Sequence, residues 1–379
     1  MSKIFGKIAD YIRETDKQFF ILCIAASLYG SLLVLSASRA IGQTRQFFVQ
    51  LLGIAIGIIA AIIISNFDYK TFGKRWYIIA GLCIFLFVFT YFFGYTPSGT
   101  DNKAWIELPG GMSLQPSEII KVCFIITFAY HVYRLGDNVS KLTNVLLLCV
   151  HGAVPILLVH FLQGDDGTAL MFAGIFLFMM FAAGIKLRYF LITGGAALAA
   201  APFAWFFVLS DYQRSRILSI FNPAADIQGI GYQQYYGGIS IGSGGLAGYG
   251  LFNGPSVQNG TVPKAYNDFI FTVAGEELGF LGCLAIILLI SAICIRALRV
   301  SYMARDKMGS MICVGVFAMI AVQSMVNIGM CLSLLPVIGI TLPFFSAGGT
   351  SVVALYLGVG LVLSVYMHKN KRVLYLKDE

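Results

Sequence analysis

Apolar residues run through this chain in stretches of about 20, long enough for a helix to cross the hydrocarbon core of a bilayer. Ten such stretches stand out, at 18–38, 47–65, 76–95, 116–134, 143–162, 167–184, 188–209, 269–296, 308–332 and 345–368. Most are apolar all round rather than along one stripe, as expected of helices that sit in lipid and satisfy their own backbone groups. The predicted fold is an all-α integral membrane protein, a polytopic bundle of ten transmembrane helices forming one domain over 1–379. The only long polar insert, 211–267, falls between helices 7 and 8 and has 57 residues, 11 of them glycine. So much elaboration on one face points to binding or chemistry there.

Ten spans place both termini on the same side. With the N-terminus assigned to the cytoplasm, 19 Lys and Arg fall on the cytoplasmic side and six on the other (Arg39, Arg45, Lys103, Arg214, Arg216 and Lys264), with Lys121 inside a span. That asymmetry predicts cytoplasmic termini and an extracellular 211–267 loop. Lys3, Lys7, Arg13 and Lys17 precede a first apolar run longer than a signal-peptide core, which reads as a retained span.

Composition agrees: 58% of residues are hydrophobic and 12% charged, against about 25% charged in soluble domains. The net charge of +8 is scattered between apolar runs, so it reads as topology, and no nucleic-acid partner is implied. All eight cysteines lie in apolar runs without CxxC spacing, which indicates neither a disulfide framework nor a zinc site. The four histidines are dispersed, with His160 near Asp165 and Asp166.

Candidate chemistry gathers at the polar boundaries. Asp268 stands where the eighth apolar run begins, a place where the helix dipole favours an ionised carboxylate; a helix cap and a reactive group are both open readings. Glu276 and Glu277 follow, roughly 12 to 13 Å further along a helix at 1.5 Å per residue, and carboxylates at that depth call for a cavity or a cationic partner. In QPSEIIK, at 115–121, Pro116 suits a first helical turn and Glu118 shares a helix face with Lys121. That pair is either a structural ion pair or part of a positive wall for an anionic head group. Arg214 and Arg216 lie just above the membrane, ahead of the glycine run 242–250. The run resembles a dinucleotide fingerprint only superficially, because no strand precedes it; it serves tight packing, loop flexibility or amides aimed at phosphate. The Pro- and Gly-dense stretch 335–351 predicts a broken element whose Ser346, Thr350 and Ser351 serve freed backbone groups or a ligand.

Taken in order, six features resemble the SEDS family (shape, elongation, division and sporulation). They are QPSExxK at 115–121, the QGDDGTA turn at 163–169, the R-x-R-I and F-x-P start of the large loop, the glycine run, the NDFIF-x-x-x-GEELGF block at 267–280, and P-x-x-G-x-x-LPF-x-S-x-GG-T-S at 336–351. The resemblance implies a bacterial plasma-membrane peptidoglycan glycosyltransferase that uses lipid II beside a class B penicillin-binding protein. It puts the family's proposed catalytic Asp on Asp268, its ion pair on Glu118 and Lys121, and its loop arginine on Arg216. Asp165, Glu277, Arg214, Ser346 and Thr350 complete the candidate substrate-binding set. The departures are Lys264, Tyr266 and Asn267 where the family has Glu, His and Thr, the added Asp166, Ala104 for Arg, and Ala347 for Tyr.

The implied reaction is attack of a sugar 4-hydroxyl on an anomeric carbon, with polyprenyl diphosphate leaving. One carboxylate base suffices, since the diphosphate departs without protonation. Arg216, Arg214, Lys121 or a divalent cation such as Mg²⁺ would meet its charge. Two other classes compete: a lipid II flippase using the intramembrane acids and Lys121, and a scaffold that activates the penicillin-binding protein.

Overall fold

The structure, a computed structural model, describes residues 11–96, 102–108 and 112–369. Lys3, Lys7, Asp101 and the basic tail beyond Lys369 lie outside the described residues.

Ten helices are long and apolar enough to cross a membrane: Lys17–Ala40, Arg45–Asn66, Trp76–Phe93, Pro116–Asn138, Leu142–Gln163, Asp166–Ala183, Leu187–Val208, Ile270–Met303, Lys307–Cys331 and Gly349–Met367. Each coincides with an expected span. The ninth is the hub, packing against the fourth, sixth, eighth and tenth. The second and tenth run along one another because small residues let their backbones approach. A Cβ on Gly53 would lie 3.0 Å from the Gly349 carbonyl oxygen, and one on Gly360 would lie 2.8 Å from Ala61 Cα. Close packing of this kind replaces the hydrophobic drive that lipid cannot supply. The seventh span, by contrast, contributes no buried residue.

Two spans carry an interior proline, Pro155 in the fifth and Pro202 in the seventh, and both end in a widened π turn, Val159–Gln163 and Ala204–Val208. A proline removes a backbone donor and crowds the preceding turn, and local rewinding accommodates both effects. On the face away from the 211–267 loop, Asp16 caps the first span and meets Arg296 at 2.8 Å. Asp306 accepts from Lys70 at 2.8 Å and Tyr69 at 2.9 Å. Two of the histidines are not dispersed in space: His131 and His151 bring their Nδ1 atoms to 3.1 Å between the fourth and fifth spans.

The polar segments are more ordered than their composition suggested. Strands β1 (Ile106–Leu108) and β2 (Met112–Leu114) form an antiparallel hairpin. The long loop folds into helices Asp211–Leu218, Tyr232–Ser243 and Pro255–Gln258, with a 3₁₀ turn at Pro223–Asp226.

The eighth span is broken. Gly279 has φ 66° and ψ −160°, a conformation open in practice to glycine alone. The groups this break frees are taken up by the glycine run: Tyr249 N donates to Glu276 O (3.1 Å), Gly250 N to Glu277 O (2.8 Å), Phe280 N to Gly245 O (2.9 Å) and Leu281 N to Leu246 O (3.1 Å). Of the uses open to the glycines, the structure selects tight packing, since a Cβ on Gly279 would come within 2.4 Å of Gly248 N. The long loop is thereby laced into the bundle.

Gly279→Ala should cost at least about 1–3 kcal/mol from backbone strain alone, read as a lower melting temperature in detergent. Gly194→Ala in the seventh span, where an added Cβ meets nothing within 4 Å, should leave melting unchanged.

Candidate active site at the head of the eighth span

Residues 263–269 form a turn leading into the eighth span. Asn267 N donates to Lys264 O at 2.9 Å, with Phe269 N on the same carbonyl at 3.5 Å. Phe269 and Ile270 are fully buried and pin the end of the turn in the core, while Asp268 between the turn and the helix stays partly exposed.

Three successive carbonyls of this turn are gripped from one side. Ala347 N donates to Tyr266 O (2.9 Å), Ser346 Oγ to Asn267 O (2.6 Å), and Asn327 Nδ2 to Asp268 O (2.8 Å). Asn327 Nδ2 also donates to Ile340 O at 2.6 Å, and Ser346 Oγ accepts from Leu342 N at 2.7 Å. The Pro- and Gly-rich stretch before the tenth span is thus the template that shapes the turn. Ser346 is spent on backbone groups, one of the two uses expected of it.

The Asp268 carboxylate is not a helix cap. The N-cap position belongs to Phe269, without a side-chain cap, and among the described residues no protein donor reaches the Asp268 oxygens. A Cβ on Gly339 would sit 3.8 Å from Oδ2, so the Gly339 backbone lies beside the carboxylate. Burial raises the Asp268 pKa to about 6, with the Lys264 charge pulling the other way. Desolvation thus opposes the ionised form that the helix position was expected to favour. At pH 7 it remains about 90% ionised.

Among the described residues, Glu276 and Glu277 have no cationic partner. Glu276 caps the short Pro255–Gln258 helix, accepting from Ser256 N and Val257 N at 2.8 Å each. Glu277 is fully buried and accepts from Ser36 Oγ (2.7 Å) and Gln258 Nε2 (2.9 Å). Backbone amides satisfy both oxygens of Glu276, whereas the neutral donors on Glu277 converge on Oε1 and leave Oε2 buried without a donor among the described residues. Both residues fasten the loop to the first and eighth spans.

Lys121 is 1% exposed and lies 2.9 Å from Glu118, with Gln323 Oε1 at 3.4 Å. Gln323 Nε2 in turn donates to Thr341 O and Oγ1, both at 3.1 Å. Beside Glu118 lies a cavity of about 10 Å³, lined also by Gln323, Thr341, Ser346 and Ser351, room for about one water. Asp165 caps the sixth span through Thr168 and accepts from Gln115 Nε2 at 3.0 Å. The QPSE and GDDGTA segments therefore meet, and burial holds the Asp165 pKa above the ordinary carboxylate value against its Thr168 bonds. Asp166 pairs with His160 at 2.6 Å and accepts from Gln213. Arg214 is engaged by Asp211 (3.2 Å) and Phe206 O (3.2 Å). Arg216 stacks 4.5 Å over the Tyr212 ring and bonds its hydroxyl, and has no carboxylate partner among the described residues. Thr350 Oγ1 donates to Ser113 O of β2 at 2.9 Å.

Sequence reasoning missed Gln323 and Asn327. Two amides four residues apart share a face of the ninth span, and in an otherwise apolar run that spacing was the available signal. Together they join the Glu118–Lys121 pair to the grip on Asp268 through 340–346.

A divalent cation held by the protein does not fit this donor set. Asp268 has an ammonium as its charged neighbour, and among the described residues no three His, Cys, Asp or Glu groups converge. A cation would have to arrive with phosphate oxygens supplying most of its ligands.

A bundle of ten spans with an ordered polar loop face defines a multi-pass membrane protein, and residues 16–371 match the family model for the cell cycle proteins FtsW, RodA and SpoVE. The chain belongs to that family, the SEDS family. It is 33% identical over 360 residues to the peptidoglycan glycosyltransferase MrdB of Escherichia coli K12, covering 94% of each chain. It is 34% identical over 357 residues to stage V sporulation protein E of Bacillus subtilis, covering 92% of this chain and 96% of that one. Among solved structures, a chain described under "Structural coordination of polymerization and crosslinking by a peptidoglycan synthase complex" superposes with a TM-score of 0.80 at 24% identity. The match covers 94% of this chain and 99% of that one, and it supports the fold.

If the Glu118–Lys121 pair is structural, Lys121→Met alone should cost about 3–5 kcal/mol by stranding a buried charge. Glu118→Gln combined with Lys121→Met should recover most of the lost melting temperature.

Proposed function

We propose that this protein is a peptidoglycan glycosyltransferase that polymerises lipid II at the outer face of the bacterial plasma membrane, with Asp268 as general base. The observation that carries the reading is the Asp268 carboxylate, fixed through its backbone carbonyl yet without a protein donor of its own. The backbone is held in place, and the carboxylate oxygens stay free to accept a proton. A pKa near 6 suits that task, since a base works best when its pKa lies near the operating pH.

In the proposed reaction the acceptor sugar's 4-hydroxyl gives its proton to Asp268 as its oxygen bonds to the anomeric carbon of the donor, and the diphosphate leaves with inversion. Arg216, uncommitted to any carboxylate, faces the substrate charge. Lys121, Glu118, Asp165, Glu277, Ser346 and Thr350 act at one remove, by shaping the loop face. The distribution of basic residues supports cytoplasmic termini. The similarity to a chain from a synthase complex that couples polymerisation to crosslinking supports a class B penicillin-binding protein as partner.

The flippase alternative requires the intramembrane charges to line a path. Glu118, Lys121, Glu276 and Glu277 are instead each engaged by named partners, which favours the enzyme.

With purified protein and lipid II, Asp268→Asn should lower polymerisation by about 10²–10⁴-fold without lowering the melting temperature. Polymer formation at the wild-type rate by that variant would remove the base assignment, and lipid translocation without polymer would favour the transporter.

The base must be ionised, so kcat/KM should rise with pH through a midpoint near 6 and fall about tenfold per unit below it. A flat profile between about pH 5 and 8 contradicts the assignment.

A further inference from the structure

The reaction proposed above leaves negative charge on a departing diphosphate, and most cations on the loop face are already engaged. Lys121 is buried against Glu118, and Arg214 is paired with Asp211. Lys264 is different. It is exposed, and among the described residues its ammonium makes no hydrogen bond or ion pair, although its charge acts on the Asp268 carboxylate.

Its place in the chain gives that freedom a direction. Lys264 opens the turn whose other end is Asp268, and its carbonyl is the acceptor that closes the turn on Asn267 N and Phe269 N. The two side chains therefore rise from the ends of one closed loop of chain. The backbone at Lys264 is left-handed, with φ +53°, a conformation that costs a residue with a Cβ roughly 1 kcal/mol and that glycine adopts freely. Turn geometry favours glycine over lysine here, and the charge that lysine brings lies close enough to act on Asp268. The donor set beside Asp268 does not hold a metal, which leaves the same electrostatic task open.

We propose that Lys264 is a further functional residue of this site, its ammonium binding the diphosphate of the polyprenyl-linked donor and stabilising the charge that develops as it leaves. The proposal rests on the reading of Asp268 as the base. In the step, the acceptor oxygen forms its bond to the anomeric carbon and its proton passes to Asp268. The bond from that carbon to the diphosphate oxygen breaks, and the electron pair stays with the diphosphate. Lys264 keeps its proton throughout and donates hydrogen bonds to the leaving oxygens, a task that suits a compact ammonium on a flexible stem. The field of Lys264 also opposes the effect of burial on Asp268, so removing it should move the acid limb of the rate profile to higher pH.

The test uses full-length protein in detergent, with undecaprenyl diphosphate as the binding probe in the presence of EDTA and lipid II as the substrate. Lys264→Met should weaken probe binding and slow polymerisation by about tenfold or more, and Lys264→Arg should restore most of both. Lys264→Gly should melt at a higher temperature than wild type, because the left-handed strain is relieved, while losing probe binding as Met does. Asp268→Asn, run in parallel, should lose polymerisation and keep probe binding, so the two roles fail separately. Wild-type binding and rate in Lys264→Met would overturn the inference and leave the base reading standing. Collapse of wild-type probe binding in EDTA would also overturn it, by assigning the charge partner to a metal.

Discussion

The amide of Asn327 carries two carbonyls, those of Asp268 and Ile340, and the geometry of the loop face depends on that bridge. It ties the start of the eighth span to the broken stretch before the tenth, from a helix that packs against both. A buried carbonyl without a donor costs about 1–3 kcal/mol; an apolar replacement at 327 would remove this donor from Ile340 O and leave Asp268 O only the weak Cys331 thiol at 3.7 Å. With Ser346 and Ala347 completing the grip, the backbone of Asp268 is overdetermined and its side chain is left without a partner. The turn is thereby held through main-chain carbonyls, and the carboxylate has no protein donor among the described residues.

The same economy recurs wherever the bundle departs from regular helix. The break at Gly279 would expose main-chain groups at membrane depth, which lipid does not tolerate. The glycine run satisfies them strand-fashion, and Glu276 caps the short helix that follows the run. At this break the irregular backbone is paired by another part of the chain. The long insert therefore behaves as part of the bundle, and its half-buried Arg216 and exposed Lys264 are carried on an ordered frame.

The ten spans were legible because an apolar run of about 20 residues has one stable solution in lipid. Asp268 was legible too, as an acid at the head of such a run. What the sequence hid was satisfied at long range. Glu276 and Glu277 read as costly charges because their donors, Ser256, Val257, Ser36 and Gln258, come from elsewhere in the chain. The break at Gly279 was invisible because its partners lie about 30 residues earlier, in a run that by composition reads equally well as flexible loop. Gln323 and Asn327 carried a readable spacing, yet their task depends on carbonyls contributed by 340–341 and 268. The raised pKa of Asp268 likewise follows from tertiary burial, which local helix-dipole reasoning does not contain.

The central claim is that a sugar hydroxyl meets the Asp268 carboxylate on the loop face. Its most direct test is a structure of the protein trapped with a lipid-linked disaccharide acceptor and a non-transferable donor analogue. The account predicts the acceptor's 4-hydroxyl oxygen within about 2.6–3.2 Å of an Asp268 oxygen, with the donor's anomeric carbon on its far side. An acceptor bound with that hydroxyl turned toward another group, or seated where Asp268 cannot reach it, would contradict the account.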